Sequence, residues 1–313
     1  MPDKTRFSSK QRKRRQAVDR TMRGVFLFCG ILSALMILLI FYFVGQKGIQ
    51  VFLPSYGEKR QNLWNFLTGM SWRQDRGVYG VGFIVINTLI TSFGAAVISF
   101  PLAVLTGLYI VKLAPKRMRV VFTTVIELLA AIPSVVYGVF ASGSITGLVN
   151  TIAGWFGQIT AGGVGSLSVI FLLAIMIFPT ICSMSIVSIA AVDRQLELGS
   201  LALGATPMQT NMKVVLTAAR SGIFAGLILG LGRAFGEATA VTMVAGNAMI
   251  GPTINPFDPT RTLTSTMLAG LKETTGLDYD IRFSAGIVLM IIIVGSNLLI
   301  HQIRRRIGGV TNE

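Results

Sequence analysis

The sequence predicts an all-α membrane protein with about six transmembrane helices. Hydrophobic residues make up 52% of its 313 residues, charged residues only 13%, and the mean hydropathy is +0.67. A soluble domain carries about 25% charged residues, whereas a helix that crosses a bilayer needs about 20 consecutive apolar residues. The chain contains several charge-free stretches of that length, and its lysines and arginines fall in alternate connecting segments. We therefore expect the chain to cross the membrane repeatedly.

The charge-free stretches set the positions of the predicted spans. No charge lies between Arg23 and Lys47 or between Arg76 and Lys112. The charge-free stretch 128–192 is too long for one span, and its interior is rich in Gly, Ser and Thr, which predicts two helices around a polar turn. The six predicted spans are residues 24–45, 82–111, 118–141, 166–191, 213–245 and 283–303.

The basic residues predict the orientation. Of the lysines and arginines, nine lie up to Arg23, four in 112–119, three in 194–220 and three at 304–306, whereas the opposite connections hold eight. Basic residues favour the cytoplasmic side, so both termini are predicted to be cytoplasmic. The net charge of +15 is then a topology signal and a contact for anionic lipid, with no nucleic acid as partner. The predicted organisation is a basic tail 1–23, an anchor helix 24–45, an external loop 46–81, a five-helix core 82–303 with an external loop 246–282, and a cytoplasmic tail 304–313.

The inventory of reactive residues argues against an enzyme. One histidine and two cysteines, Cys29 and Cys182, cannot assemble a metal site or a disulfide framework. No glycine-rich loop of the GxxxxGK[ST] type is present, so we expect any ATP to be bound and hydrolysed by a different subunit. The sequence thus predicts neither a metal nor a cofactor in this chain.

Apart from Arg119, Lys213 and Arg220 at the cytoplasmic ends of the spans, three charged residues fall inside predicted spans, where a charge is costly and indicates function. Glu127 lies near the cytoplasmic end of the third span, where it could simply reach water, while Arg233 and Glu237 lie in the fifth. Their four-residue spacing predicts one shared helix face and partial neutralisation. An arginine fork suits a tetrahedral oxyanion, although such a pair can also merely hold helices together. Small residues at four-residue spacing predict close helix packing beside the pair: Gly222, Gly226, Gly230, Gly232 and Gly236.

The cytoplasmic connection 193–212 is too structured to be a simple turn. Asp193 can cap a helix that ends before Gly204, and Thr206, Pro207 and Gln209 form the pattern of a capping box. Its apolar side chains suit either a helix lying on the membrane surface or a docking surface for a soluble partner.

The motifs in this region resemble a known family. The segment SLALGATPMQTNMKVVLTAARSGI looks like the EAA loop of type I ABC importer permeases, the element that contacts the ATPase. The segments GLGRAFGEATAVTMVAGN and AAIPSVVYGVF are similar to motifs of the PstC-type phosphate permeases within that family. The resemblance runs from about Phe26 to the C-terminus and implies the MetI-like ABC permease fold.

The resemblance also implies roles and partners. Arg233 and Glu237 take the places of the transport residues. Leu198 stands where the family has glutamate, and Thr217 where it has proline. The implied residues of the ATPase contact are Glu197, Ser200, Leu201, Ala202, Gly204 and Ala205.

The implied machine is an inner-membrane importer of phosphate. Its other parts are a PstA-like permease, two copies of a PstB-like ATP-binding subunit and a PstS-like phosphate-binding protein. The alternatives are a permease for sulfate or molybdate, a PstA-type partner subunit and a proton-coupled secondary transporter; for the last, the coupling loop would have no use.

Overall fold

Six segments of the computed structural model are long and apolar enough to cross a membrane. The structure describes residues 9–307, so the outermost parts of both predicted tails lie outside the described residues. Within that range the six segments are Val18–Gln50, Gly82–Leu113, Ser134–Trp155, Ser166–Ala190, Pro207–Gly236 and Leu277–Gln302. The predicted number of spans is therefore confirmed, whereas several of their bounds are not.

Thirteen α-helices, three short 3₁₀ helices (Pro54–Lys59, Gln74–Arg76 and Leu271–Glu273) and one small hairpin are the main regular elements of residues 9–307. In chain order the helices are α1 (Ser9–Gln50), α2 (Leu63–Thr68), α3 (Gly82–Leu108), α4 (Lys116–Ala131), α5 (Ser134–Phe140), α6 (Thr146–Trp155), α7 (Ser166–Ala190), α8 (Arg194–Ala202), α9 (Pro207–Gln209), α10 (Leu216–Gly236), α11 (Thr239–Val244), α12 (Leu263–Leu268) and α13 (Leu277–Ile307). The hairpin pairs β1 (Trp72–Arg73) with β2 (Val78–Tyr79) in antiparallel register. Wider π-helical turns extend α3, join α5 to α6 and join α9 to α10; they are Tyr109–Leu113, Ala141–Ile145 and Thr210–Val215.

The third span lies further along the chain than predicted. The range 118–141 is interrupted, because α4 ends at Ala131 and α5 begins at Ser134. Pro133 causes the break, since proline has no amide hydrogen and disfavours the helical conformation of the residue before it. Ile132 is accordingly extended, with φ −64° and ψ 128°. Glu127 is therefore an exposed residue of α4, outside the segment long enough to cross.

The fifth span ends nine residues before the predicted limit of residue 245. Helix α10 stops at Gly236, Glu237 has an extended backbone with φ −74° and ψ 113°, and α11 is a separate short helix. In the other direction the helical segment begins at Pro207, within the predicted coupling loop, so one continuous segment of 30 residues runs from that loop to Gly236.

Helix α7 is the centre of the bundle and packs most extensively against α3 and α10. The contact with α10 is close because its glycines face α7. A Cβ at Gly226 would lie 2.8 Å from the Cβ of Met184, and one at Gly230 would lie 2.8 Å from Cγ1 of Ile181. A Cβ at Gly222 would lie 2.0 Å from Oγ of Ser188. We refer to Gly222, Gly226 and Gly230 as the glycine seam.

The other two predicted packing glycines, Gly232 and Gly236, face open space within the described residues. A Cβ at Gly232 or Gly236 would have no neighbour within 4 Å. Four-residue spacing defines two lines on α10, and only the line of the glycine seam faces α7, so close packing at Gly232 and Gly236 stays a prediction.

Helix α1 lies at the edge of the bundle and packs mainly on α13. At one end of this contact the Asp280 carboxylate accepts hydrogen bonds from Gln50 Nε2 and Tyr56 Oη, both at 2.9 Å, and pairs with Lys47 Nζ at 3.3 Å. Burial, followed by the bond to Asp280, raises the pKa of Tyr56 to about 12. This polar cluster fastens the anchor helix to the last helix.

Candidate transport pathway and coupling element

Arg233 lies in the last turn of α10, one turn beyond the glycine seam. The seam brings α10 against α7, so the guanidinium reaches α7 and donates from Nη1 to Oγ1 of Thr180 at 3.4 Å. Arg233 is half-buried and forms no ion pair within residues 9–307. Its fork therefore retains donors for an anion. Thr180 follows Pro179, which sits inside α7, and sequence reasoning did not identify it as a partner.

Glu237 does not pair with Arg233. The helix ends between them, so the expectation of one shared face fails, and the Glu237 carboxylate accepts from the backbone N–H of Ala240 at 3.1 Å. Its carbonyl oxygen accepts from Oγ1 of Thr264 at 2.7 Å. A carboxylate at a helix N-terminus satisfies an otherwise unpaired N–H. Glu237 thus fixes the break between α10 and α11 and leaves the Arg233 charge uncompensated.

Two further arginines lie near this break: Arg261 between α11 and α12, and Arg282 in the second turn of α13. Arg282 is 2% exposed and Arg261 is 9% exposed. Arg282 donates from Nε to the carbonyl oxygen of Asp278 at 3.0 Å and from Nη1 to those of Thr266, at 2.6 Å, and Ala269. The latter two carbonyls end α12, where the helix dipole favours a cation. The sequence analysis had counted both arginines only as part of the charge balance.

The coupling element, residues 193–212, has the predicted helix–break–helix structure. Asp193 caps α8 by accepting from Gln195 N at 2.9 Å, and Gly204 has a left-handed φ of +82°. Thr206 and Gln209 form the capping box at the start of α9. These three local predictions are confirmed. The two arms are joined by a hydrogen bond of 2.9 Å between the hydroxyls of Ser200, on α8, and Thr210.

Glu197, a predicted ATPase contact, pairs with Lys112 of the same chain. Lys112 belongs to the π-helical turn that ends α3, and both side chains are largely buried, with 16% of Lys112 and 21% of Glu197 exposed. The coupling element is thereby tied to α3 as well as to α10. Because the pair is internal, Glu197 is not a free charge for another subunit. This pair was not predictable from the sequence, because Lys112 and Glu197 lie 85 positions apart.

The outward surface of the coupling element is apolar. Leu198, which stands at the family's glutamate position, is 53% exposed. Leu203, at the tip beside Gly204, is 91% exposed, and Leu201 is 41% exposed. Ala202 is also exposed, and Ala205 is half-buried. Such a cluster at a sharp turn is the kind of surface that another protein covers.

A family model identifies the class of this membrane protein. The model for the inner membrane component of binding-protein-dependent transport systems matches residues 99–308. That range contains α7, the coupling element, the glycine seam and Arg233. The chain belongs to this family.

Within the family, the chain is similar to phosphate permeases. It is 34% identical over 301 residues to the probable ABC transporter permease protein YqgH of Bacillus subtilis, covering 94% of each chain. It is 32% identical over 263 residues to the phosphate transport system permease protein PstC of Pasteurella multocida, covering 78% of this chain and 82% of that one. The protein PstC 2 of Mycobacterium tuberculosis is 30% identical over 271 residues, covering 80% and 81%. The resemblance to PstC-type permeases is confirmed.

Solved ABC transporters share the fold. A chain of the bacterial alginate ABC transporter, in complex with an alginate-bound periplasmic protein, matches with a TM-score of 0.63 at 20% identity, covering 93% of this chain and 98% of that one. A chain of the MetNI methionine ABC transporter in an inward-facing conformation matches with a TM-score of 0.53 at 21% identity, covering 72% and 94%. The predicted all-α, MetI-like ABC permease fold is confirmed.

Proposed function

We propose that this chain is a membrane-spanning permease subunit of an ATP-driven importer of inorganic phosphate. The observation that carries the proposal is Arg233: a half-buried guanidinium on a glycine seam, with no carboxylate partner in residues 9–307, in a chain about 30% identical to PstC proteins. The planar guanidinium of arginine can donate two parallel hydrogen bonds to two oxygens of one phosphate ion. Glu237 supports this role by holding the end of α10 in place without neutralising Arg233.

The same proposal assigns partners to the remaining surfaces. The apolar tip around Leu203 and Gly204 docks against a PstB-like ATP-binding subunit, which hydrolyses ATP, so that this chain is not itself an enzyme and carries no cofactor. A PstA-like permease supplies the other wall of the pathway, and a PstS-like protein delivers phosphate on the opposite face. The complex sits in the cytoplasmic (inner) membrane with both termini of this chain in the cytoplasm, which places the coupling element on the ATPase side.

The decisive experiment replaces Arg233. The chain is co-expressed with its partner subunits in cells that lack other phosphate importers, and initial uptake of radiolabelled phosphate is measured. Loss of a charge-assisted hydrogen bond is worth about 1.5–3 kcal/mol, so Arg233→Gln should lower uptake at least about tenfold while the complex still assembles. Arg233→Lys keeps the charge but lacks the planar fork, so its uptake should lie between those of the unaltered complex and the Arg233→Gln complex.

Arg220→Gln is the matched control, because it removes one arginine from the other half of the same helix and should leave uptake near normal. Near-normal uptake by the Arg233→Gln complex would remove Arg233 from the pathway. If the unaltered complex instead accumulates sulfate or molybdate and excludes phosphate, the substrate assignment is wrong.

A further inference from the structure

The segment between α11 and α13 holds a buried cation whose counter-charge is missing. Arg261 is 91% buried and forms no ion pair with any residue in 9–307. Its one hydrogen bond runs from Nη2 to the carbonyl oxygen of Asn247 at 2.9 Å. Arg282, by contrast, is held by the three carbonyl oxygens described above. Of the two arginines, Arg261 is the one whose donors are mostly unused.

Unpartnered polar atoms are concentrated at the same place. Six buried side-chain atoms in the described residues have no hydrogen-bond partner, and three of them belong to Asn247 (Oδ1), Thr260 (Oγ1) and Arg261 (Nε). The two short stretches that carry them are neighbours, since Gly246 and Thr260 form a β-bridge. Buried polar groups are normally satisfied, so such a cluster points to a ligand.

Two cavities border this region of the molecule. Asn247 lines a cavity of about 550 Å³ on the side remote from the coupling element. The charged residue in the lining of this cavity is Asp258, which is exposed. Arg282 and Thr264 are the polar lining of a second, mainly apolar cavity of about 330 Å³ that also contacts Gly236. Thr264 is in turn bonded to Glu237. Arg261 is thus held by a residue that lines the outer cavity, and its neighbouring cation Arg282 lines the cavity that reaches the end of α10.

The charge of Arg261 persists at neutral pH. Burial, reinforced by the positive charge of Arg282, lowers its pKa to about 10, which is still well above 7. A buried charge without a partner is strongly destabilising, and a second nearby cation increases that penalty. An anion at this position would relieve both effects at once.

We propose that Arg261, reinforced by Arg282, forms a second anion-binding position, which takes a tetrahedral oxyanion of the phosphate class before it reaches Arg233. This inference rests on the proposed function. Nε and the free Nη1 of Arg261 donate to phosphate oxygens. Asn247 Oδ1 accepts a hydrogen bond from the P–OH group of hydrogen phosphate, a donor that sulfate lacks, which favours phosphate over sulfate.

Two substitutions with different consequences for folding test the proposal. Arg261→Gln removes the charge, whereas Asn247→Asp keeps Arg261 and puts a carboxylate on the residue whose backbone oxygen holds its guanidinium, where the carboxylate competes with the anion. In the full complex, both should raise the half-saturating phosphate concentration or lower maximal uptake by about tenfold or more. Arg76→Gln is the control, because it removes an arginine that is 68% exposed on the same side of the molecule.

The readouts separate binding from folding. Recovery of the complex and its thermal stability are measured beside uptake, and Asn247→Asp decides the question if the Arg261→Gln complex is not recovered. A purely structural Arg261 predicts that Asn247→Asp transports normally, because its new carboxylate supplies the missing counter-charge. Uptake within twofold of the unaltered complex for Asn247→Asp would therefore overturn the proposal. If the unaltered complex carries another oxyanion, the proposed substrate fails, and the same comparison made with that oxyanion still tests the anion position.

Discussion

Alanine at Gly226 should destabilise the bundle, whereas alanine at Gly232, on the same helix, should not. A Cβ at Gly226 would lie 2.8 Å from the Cβ of Met184 and 3.4 Å from the carbonyl oxygen of Ile181. Carbon atoms pack at about 3.5–4.0 Å, so the overlap with Met184 is roughly 1 Å. Overpacking of this kind costs about 1–3 kcal/mol. At Gly232 no atom lies within 4 Å, and the gain in helix propensity is about 0.5–1 kcal/mol.

The two variants should therefore differ by about 1.5–4 kcal/mol in the free energy of unfolding. The assay is unfolding of the purified chain in detergent, followed by loss of helical circular dichroism across a denaturant series, with the unaltered chain alongside. The seam places α10 directly on α7, and equal stability of Gly226→Ala and Gly232→Ala would refute that contact. The same measurement in the assembled importer shows whether a helix of the second permease packs on the face of α10 that carries Gly232. In that case Gly232→Ala would destabilise the complex but not the isolated chain.

Three other outcomes follow from contacts described above. Lys112→Glu or Glu197→Lys alone should lower phosphate-coupled ATP hydrolysis several-fold, and the double exchange should restore it; no recovery in the double variant would mean that the charges act separately. Gly204→Val forces a side chain into φ +82°, at about 1–2 kcal/mol, and should reduce co-purification of the ATPase, so full recovery of the ATPase would contradict the docking assignment. The raised pKa of Tyr56, about 12 against an ordinary 10, contributes stability that is complete below pH 10 and is lost as pH rises through 12; Tyr56→Phe should lack this loss in heat-unfolding measurements, and identical alkaline profiles would exclude a contribution from the bond to Asp280.

The elements that depend on neighbouring residues were predictable from the sequence. The capping of α8 by Asp193, the left-handed Gly204 and the capping box at Thr206 each depend on residues a few positions apart, and all three are present. The number of spans also followed, because it depends on apolar length alone. The resemblance to ABC permeases supplied the fold.

The errors arose where one residue interrupts a periodic pattern. Pro133 lies within an apolar run that is otherwise suitable for a continuous helix, and it displaced the third span. The i,i+4 spacing of Arg233 and Glu237 indicates a shared face only while the helix continues, and it ends at Gly236. Long-range partners such as Lys112 for Glu197 carry no signal in one sequence, because only the tertiary fold brings the turn after α3 to α8.

The uninterrupted helical segment from Pro207 to Gly236 has a mechanical consequence. At 1.5 Å per residue, its 30 residues form a rod about 45 Å long, with the coupling element at one end and Arg233 near the other. A pivot of about 5° would move the far end by roughly 4 Å, which exceeds the length of a hydrogen bond. The wider turn at Thr210–Val215 is the one place along the rod where the backbone bonding changes. The segment is thus a lever arm, through which a small tilt at one surface is enough to make or break a guanidinium contact at the other end.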